Sequence, residues 1–133
     1  MAAVAKSGTP SLSSVVPPQN CVIGSGLKAG AAIAAGDLVY IAAAGTVLLS
    51  NGTSADAAAK CDGIAVKAAP SGEAVDVYRG VEMRYGAGLT PGARLFVSAA
   101  TPGGLSDVAT TGGTAPVGFV VDATRIFIHG SSY

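Results

Sequence analysis

The feature that most constrains this chain is an internal repeat. Residues 36–78 open with GDLVYI, and residues 92–128 open with GARLFV, 56 positions later. A second shared motif, GIAV at Gly63 and GFVV at Gly118, is offset by 55 positions. Because agreeing offsets at two separated points are typical of a repeated structural unit, the sequence predicts one β unit used twice. Two similar halves in turn favour a pseudo-twofold arrangement.

Short strands separated by Gly and Pro turns are predicted within both copies. Alternation and β-branched or aromatic residues predict strands over residues 38–41, 46–49, 63–68, 73–78, 94–98, 105–109, 117–122 and 125–129. Ser54 is the expected N-cap of a short Ala-rich helix that precedes the strand at Gly63. Many short strands with almost no helix predict an all-β fold, either a small sandwich or a barrel.

The first twenty residues differ in composition from the repeat. They read MAAVAKSGTPSLSSVVPPQN, and adjacent prolines are excluded from helix interiors and central strands. The sequence therefore predicts an extended N-terminal arm over residues 1–20, ahead of a single β domain over residues 21–133. Such an arm would add little to the stability of the domain. The apolar residues that could dock on a neighbouring protein are Leu12, Val15, Val16, Pro17 and Pro18; a disordered terminus is the alternative.

Charge is scarce and balanced in this chain. Lys and Arg total 8, Asp and Glu total 8, and only 12% of residues are charged while 50% are hydrophobic. A balanced chain lacks the clustered cations that nucleic acid binding requires, so no nucleic acid partner is expected. So few charges are a solubility risk for a free monomer, which favours a surface that largely contacts protein.

No membrane span is expected, because an uninterrupted apolar run of about 18 residues is missing. The first ten residues, MAAVAKSGTP, also lack the basic and then apolar organisation of a secretion signal.

Residues capable of catalysis are few. The single histidine, His129, ends a predicted strand, a position more typical of an exposed or interface residue than of a general base. Asp62 and Asp122 flank equivalent strands of the two copies, where aspartates usually make local hydrogen bonds. We therefore expect no enzyme activity and no catalytic residue.

The two cysteines, Cys21 and Cys61, form no CxxC motif, and one histidine cannot complete a Cys2His2 site. Neither a metal nor a cofactor is expected. Reduced thiols are the favoured state, and a disulfide between the two cysteines is the alternative.

One motif points to a different class of protein. AGDLVYI is similar to the half-motif of biotinyl and lipoyl carrier domains, which present a modified lysine in a tight hairpin. The matching hairpin position here reads VEMR over residues 81–84 and has no lysine. A β-barrel carrier or a small enzyme thus remains only a distant alternative.

Three segments carry a resemblance to a known family. AGDLVYI, then DGIAVKAAPSGEAVDV, then GLTPGARLFVSAATPGGLSDVATTGGTAPVGFVVDATRIFI resemble tailed-bacteriophage head decoration (capsid cement) proteins and their relatives. The shared features are the PGARLFVS turn, the GGLS loop and the closing VGFVVDATRIFI pair, over about residues 22–129. The C-terminal half also looks like segments of phage fibre proteins.

This resemblance implies a small β domain that binds the outside of an assembled phage head and stabilises it. Its partner would be the major capsid protein, and the family commonly forms a homotrimer. The expected location is the capsid exterior of the virion, and the host cytoplasm before assembly. The alternative that the fibre likeness leaves open is a fibre or spike module that binds a host receptor.

Overall fold

The computed structural model describes residues 3–12, 22–23 and 27–130 of the chain. Over these residues the protein is all-β, as the sequence predicts, and its strands form one seven-stranded and one six-stranded sheet. In chain order the strands are β1 (Ala3–Val4), β2 (Ser11–Leu12), β3 (Val22–Ile23), β4 (Lys28–Ala29), β5 (Leu38–Ile41), β6 (Thr46–Leu49), β7 (Gly63–Ala65), β8 (Val77–Tyr78), β9 (Val81–Arg84), β10 (Arg94–Val97), β11 (Leu105–Ser106), β12 (Gly118–Val120) and β13 (Arg125–Ile128).

The internal repeat is visible in the order of the strands. The larger sheet runs β1-β11-β10-β12-β13-β9-β2, and the smaller sheet runs β3-β8-β7-β5-β6-β4. Five strands of the smaller sheet (β3 and β5 to β8, the first unit) therefore recur in the same spatial order as β9 to β13 (the second unit). The repeat extends further toward the N-terminus than the sequence motifs alone indicate.

The register of strand pairing confirms the two offsets read from the sequence. Val39 pairs with Gly63 in the first unit, and Leu95 pairs with Gly118 in the second. These pairs are separated by the predicted 56 and 55 positions. The two units consequently share their pairing pattern residue by residue across the central strands.

The turns that open the two motifs are also equivalent. Gly36 and Gly92 both have a φ of 83°, in the left-handed region that only glycine adopts without strain. The amide of Gly36 donates to the carbonyl of Ala65 at 2.7 Å, and the amide of Gly92 donates to the carbonyl of Val120 at 2.8 Å. The same backbone hydrogen bond thus ties each turn to the same strand of its unit.

A second glycine in each unit is required by close packing. A Cβ atom at Gly63 would lie 2.5 Å from the carbonyl oxygen of Tyr78. A Cβ atom at Gly118 would collide with the carbonyl oxygen of Phe127. Because Tyr78 and Phe127 occupy equivalent positions, the two glycines perform the same task in the two units.

The main core lies between the units. It combines Leu95, Val120 and Ile126 of the second unit with Leu38 and Ile64 of the first, each 3% exposed or less. By register, Leu38 and Ile64 do not correspond to the residues they contact; they correspond to Arg94 and Phe119. The second unit therefore packs one face against the opposite face of the first unit.

A smaller core covers the remaining face of the first unit. Val39, Ala65 and Val77, the equivalents of the second unit's core residues, pack there against Ala29 of β4 and Ile33. A pseudo-twofold arrangement would bring equivalent faces together, so that prediction is wrong. The units stack front to back, because the segments around β4 already occupy the face that a twofold contact would need.

The predicted Ala-rich helix is reduced to one 3₁₀ turn over Ala57–Ala59. Its N-cap is Asp56, whose carboxylate accepts a hydrogen bond from the amide of Ala58 at 3.0 Å, and not Ser54. An aspartate next to the turn caps it at shorter range than the serine two residues earlier.

Residues 3–12 are part of the larger sheet, which differs from the arm predicted over residues 1–20. β1 pairs with β11, and β2 pairs with β9. Between them Lys6 forms an ion pair with Asp37 at 2.6 Å, and the amide of Ser7 donates to the carbonyl of Tyr85 at 2.9 Å. Two-residue strands made by distant partners carry too little local pattern to be recognised in the sequence.

This N-terminal segment also shows that the larger sheet is curved. β1 and β2 lie at its opposite edges, six strand positions apart, which is roughly 29 Å in a flat sheet. The seven Cα-to-Cα steps from Val4 to Ser11 reach at most about 25 Å. The sheet must therefore curl so that its apolar face surrounds the main core and its other face points outward.

Replacing Gly118 by alanine tests the close packing inside the second unit. We expect Gly118→Ala to lower the free energy of unfolding by about 3 kcal/mol, because the new methyl group collides with a backbone carbonyl that cannot move away freely. Gly45→Ala is the control: Gly45 has a φ of 88° but no atom within 4 Å of its Cβ position, so about 1 kcal/mol is expected. Urea denaturation measures both, and equal losses would contradict the packing argument.

Removing residues 1–12 tests whether the N-terminal segment belongs to the fold. The truncated chain loses both edge strands and the Lys6–Asp37 ion pair. We expect its melting temperature to fall by roughly 10 °C or more. An unchanged melting temperature would support the separate arm that the sequence predicts.

Candidate binding surface

The outward side of the larger sheet carries all three phenylalanines of the chain. Along β10, β12 and β13 the side chains alternate between the core and the outside, so Phe96, Phe119 and Phe127 share the outward side. Phe counts three in the whole sequence. We call this surface, with the charged residues Glu82, Arg84, Arg94 and Arg125 that share it, the phenylalanine face.

Two of the rings form a stacked pair at the centre of this face. Phe119 and Phe127 lie directly opposite each other on neighbouring strands. Their ring centroids are 5.3 Å apart, with 30° between the ring planes. Phe119 is 43% exposed, and Val121, two residues further along the chain, is 37% exposed. Exposed apolar side chains gathered on one side of a sheet make it a candidate interaction surface.

In the first unit, the corresponding side of the sheet is buried. Ile64 and Leu38, which correspond by register to Phe119 and Arg94, are both 0% exposed. The second unit covers them. The phenylalanine face is thus the copy of a buried sheet surface that nothing in the described chain covers.

Arg125 is the centre of an ion-pair network on this face. Its Nη1 lies 2.9 Å from Oε2 of Glu82, its Nη2 lies 2.5 Å from Oδ2 of Asp122, and its Nε donates to the same oxygen at 2.7 Å. The hydrogen bond from Arg125, helped by the amide of Thr124, holds the pKa of Asp122 far below its usual range. Asp122 in turn raises the pKa of Arg125.

The other two arginines of the face are not neutralised in this way. Arg94 lies directly opposite Phe119, and Arg84 lies directly opposite Arg125. Among the residues that the structure describes, neither Arg84 nor Arg94 has a carboxylate within ion-pair distance. The face therefore combines an aromatic centre with an excess of positive charge.

The docking residues predicted from the sequence are only in part described. Leu12 ends β2, at the edge of the larger sheet beside β9. Val15, Val16, Pro17 and Pro18 lie outside the described residues, in the connection between β2 and β3. Since β9 also carries Glu82 and Arg84, this connection starts at the rim of the phenylalanine face.

The residues considered for chemistry are dispersed. His129 is exposed, and its Nδ1 lies 2.7 Å from the carbonyl oxygen of Gly130. Asp62 accepts a hydrogen bond from the amide of Ile41 at 2.7 Å, and Asp122 accepts one from the amide of Thr124 at 3.0 Å. Asp122 thus makes the local hydrogen bond that the sequence predicts, whereas Asp62 bonds to a residue 21 positions away on another strand.

Cys61 lies in the main core and donates to the carbonyl of Gly63 at 3.2 Å. Desolvation by burial raises the pKa of its thiol to about 12. A thiol in this state reacts slowly, because the thiolate is the nucleophile. Cys21, its predicted alternative partner, lies outside the described residues.

Across residues 3–12, 22–23 and 27–130, no three His, Cys, Asp or Glu side chains gather as metal ligands would. In the same part of the chain no helix has the length and hydropathy that crossing a membrane requires.

Comparisons of the chain with protein-family descriptions, with curated proteins and with solved structures found no match.

The phenylalanine face is not among the features predicted from the sequence, although the sequence contains a signal for it. Most side chains on both sides of three predicted strands are apolar, as the segments RLFV, GFVV and RIFI show. This pattern is typical of strands buried on both sides. In these three strands only one side is fully buried, so the excess apolar residues lie on the outside.

Replacing Arg125 by methionine tests the ion-pair network. We expect the pKa of Asp122 to rise toward its ordinary value, because its largest stabilising partner is lost. In the wild type the lowered pKa means that stabilisation by this carboxylate is complete above about pH 4 and is lost only at lower pH. A carboxyl carbon NMR titration measures the pKa, and Arg94→Met serves as the control that leaves it unchanged. An identical titration of Asp122 in Arg125→Met would contradict the assignment.

Proposed function

We propose that this chain is a non-enzymatic structural protein of a tailed bacteriophage that binds the outer surface of the assembled head and stabilises it. Its partner is the major capsid protein, and it acts as a homotrimer on the capsid exterior of the virion. The observation that carries this proposal is the phenylalanine face, an uncovered aromatic sheet surface on a chain with very few charges. The sequence resemblance to head decoration proteins gives that surface its partner.

The physical basis of the stabilisation is mass action. A protein that binds the assembled shell more tightly than its separated subunits lowers the free energy of the shell by RT ln(1 + [L]/Kd) for each site. A head presents many copies of the same site, so individually modest contacts sum to a large effect. Such a protein needs a stable scaffold and an exposed contact surface, and the duplicated β unit with its open face supplies both.

A fibre or spike module remains the alternative function, and copy number distinguishes the two. We expect the protein to copurify with intact heads in numbers comparable to those of capsomers. Quantitative mass spectrometry of purified virions measures this ratio. A few copies in each virion would contradict the cement role and favour a fibre, and complete absence from the virion would contradict both.

His129→Ala is a control for the non-enzymatic proposal. Since His129 is exposed just past the end of β13 and is not one of the residues that define the phenylalanine face, head binding of the variant should equal that of the wild type. Equal binding measured by cosedimentation is the expected result, and loss of binding would move the functional site to the C-terminal strand end.

A further inference from the structure

We propose that the phenylalanine face docks against an apolar protein surface that carries carboxylates beside the aromatic contact. The identity of the partner as capsid protein rests on the proposed function; the chemistry of the contact rests on this face alone. The residues that carry it are Phe119, Phe127 and Arg94.

The repeat indicates that this face has the architecture of a covered surface. In the first unit this side of the sheet is covered by another sheet surface, and Leu38 and Ile64 are fully buried as a result. In the second unit the corresponding positions hold Arg94 and Phe119, on strands with the same order and register. The second unit thus keeps the architecture of a face built to be covered, and no described segment covers it.

The charges of the face indicate which groups its partner must supply. Arg125 is balanced by Glu82 and Asp122, whereas Arg84 and Arg94 have no carboxylate partner among the described residues. Desolvating an unpaired guanidinium is costly unless the partner supplies an anion. A partner with carboxylates next to its apolar contact meets that requirement, and arginine pairs with carboxylates in a bidentate way.

Charge also argues against a second copy of this chain as the occupant. Two phenylalanine faces packed together would bring an excess of positive charge against the same excess, and like charges across an interface are unfavourable. The side of the first unit that faces away from the second unit is covered by β4 and Ile33, so it presents no open apolar sheet to a neighbouring copy.

Single-stranded nucleic acid is the other class of ligand that aromatic and arginine side chains bind on sheets. There, separate rings each stack on one base. Here Phe119 and Phe127 stack on each other at 5.3 Å. Glu82 and Asp122 also place negative charges beside the rings, which would repel the phosphates of a bound nucleic acid. The face therefore favours a protein partner.

The dimensions of the face indicate a weak individual contact. Four strands of about four residues span roughly 14 Å by 14 Å, or ~200 Å². A stable one-to-one complex buries about 800 Å² on each partner. This face alone would therefore hold its partner weakly, and it becomes effective when many copies bind one large particle.

Binding to heads stripped of the chain tests the proposal, with matched controls at exposed sites elsewhere. We expect Phe119→Ser to weaken binding about tenfold or more, and Arg94→Glu about fivefold with a flatter salt dependence. The controls are Ile41→Ser, which alters a side chain that is 36% exposed on β5 of the smaller sheet, and Lys67→Glu, which makes the same charge change on an exposed residue of the first unit. Both controls should stay within about twofold of the wild type. Thermal melts verify that each variant is folded. If Phe119→Ser does not fold, Arg94→Glu alone tests the proposal.

A probe that needs no heads separates this inference from the proposed function. Anilinonaphthalene sulfonate joins an aromatic body to one anionic group, the chemistry proposed for the partner. Its fluorescence with the wild type should be lost in Phe119→Ser and Arg94→Glu and retained in both controls.

The outcomes are distinguishable. If the wild-type protein does not bind heads but binds the dye through these residues, the proposed function is refuted and the proposed contact chemistry is supported. Heads bound equally by all variants would overturn the inference and leave the function. Dye binding unaffected by either substitution, self-association that Arg94→Glu abolishes in sedimentation, or oligonucleotide binding that depends on Phe119 would each overturn the inference as well.

Discussion

The contact on which the rest of this structure depends is the packing of the second β unit onto the first. Leu95 and Ile126 meet Leu38 and Ile64 there, and all four are fully buried. Burying one such side chain stabilises a fold by about 2 kcal/mol, so this layer dominates the core. Because the contact joins one face of the repeat to its opposite face, equivalent faces of the two units are not buried to the same extent. Each unit keeps one face that needs another cover.

Only one of the two free faces is covered by other parts of the described chain. β4 and the segment around Ile33 cover the free face of the first unit and form the smaller core. The N-terminal segment bonds to both units, through Asp37 of the first and Tyr85 of the second, and so holds the stack together at its side. The free face of the second unit remains exposed and carries the phenylalanines. An asymmetric stack of two similar units thus explains both the stability of the scaffold and the location of its candidate binding surface.

The sequence predicted the parts of the fold that local pattern determines. The offsets at Gly63 and Gly118, the strands at 38–41 and 46–49 and the turns at Gly36 and Gly92 all follow from alternation and from glycine chemistry. The relative placement of the units did not follow, because Ile64 and Phe119 look alike as apolar strand residues and only tertiary packing decides which is covered. β1 and β2 were not recognised for a related reason, since these two-residue strands depend on partners roughly 70 to 100 positions away. The predicted docking residues Val15, Val16, Pro17 and Pro18 stay a prediction.

A reconstruction of the virion head by electron cryomicroscopy tests the central claim most directly. The account predicts density for this chain on the outside of the shell, with the side of the second unit that carries Phe119 and Phe127 against capsid protein and carboxylates opposite Arg94. A head-bound chain whose phenylalanine face points into solvent would contradict it.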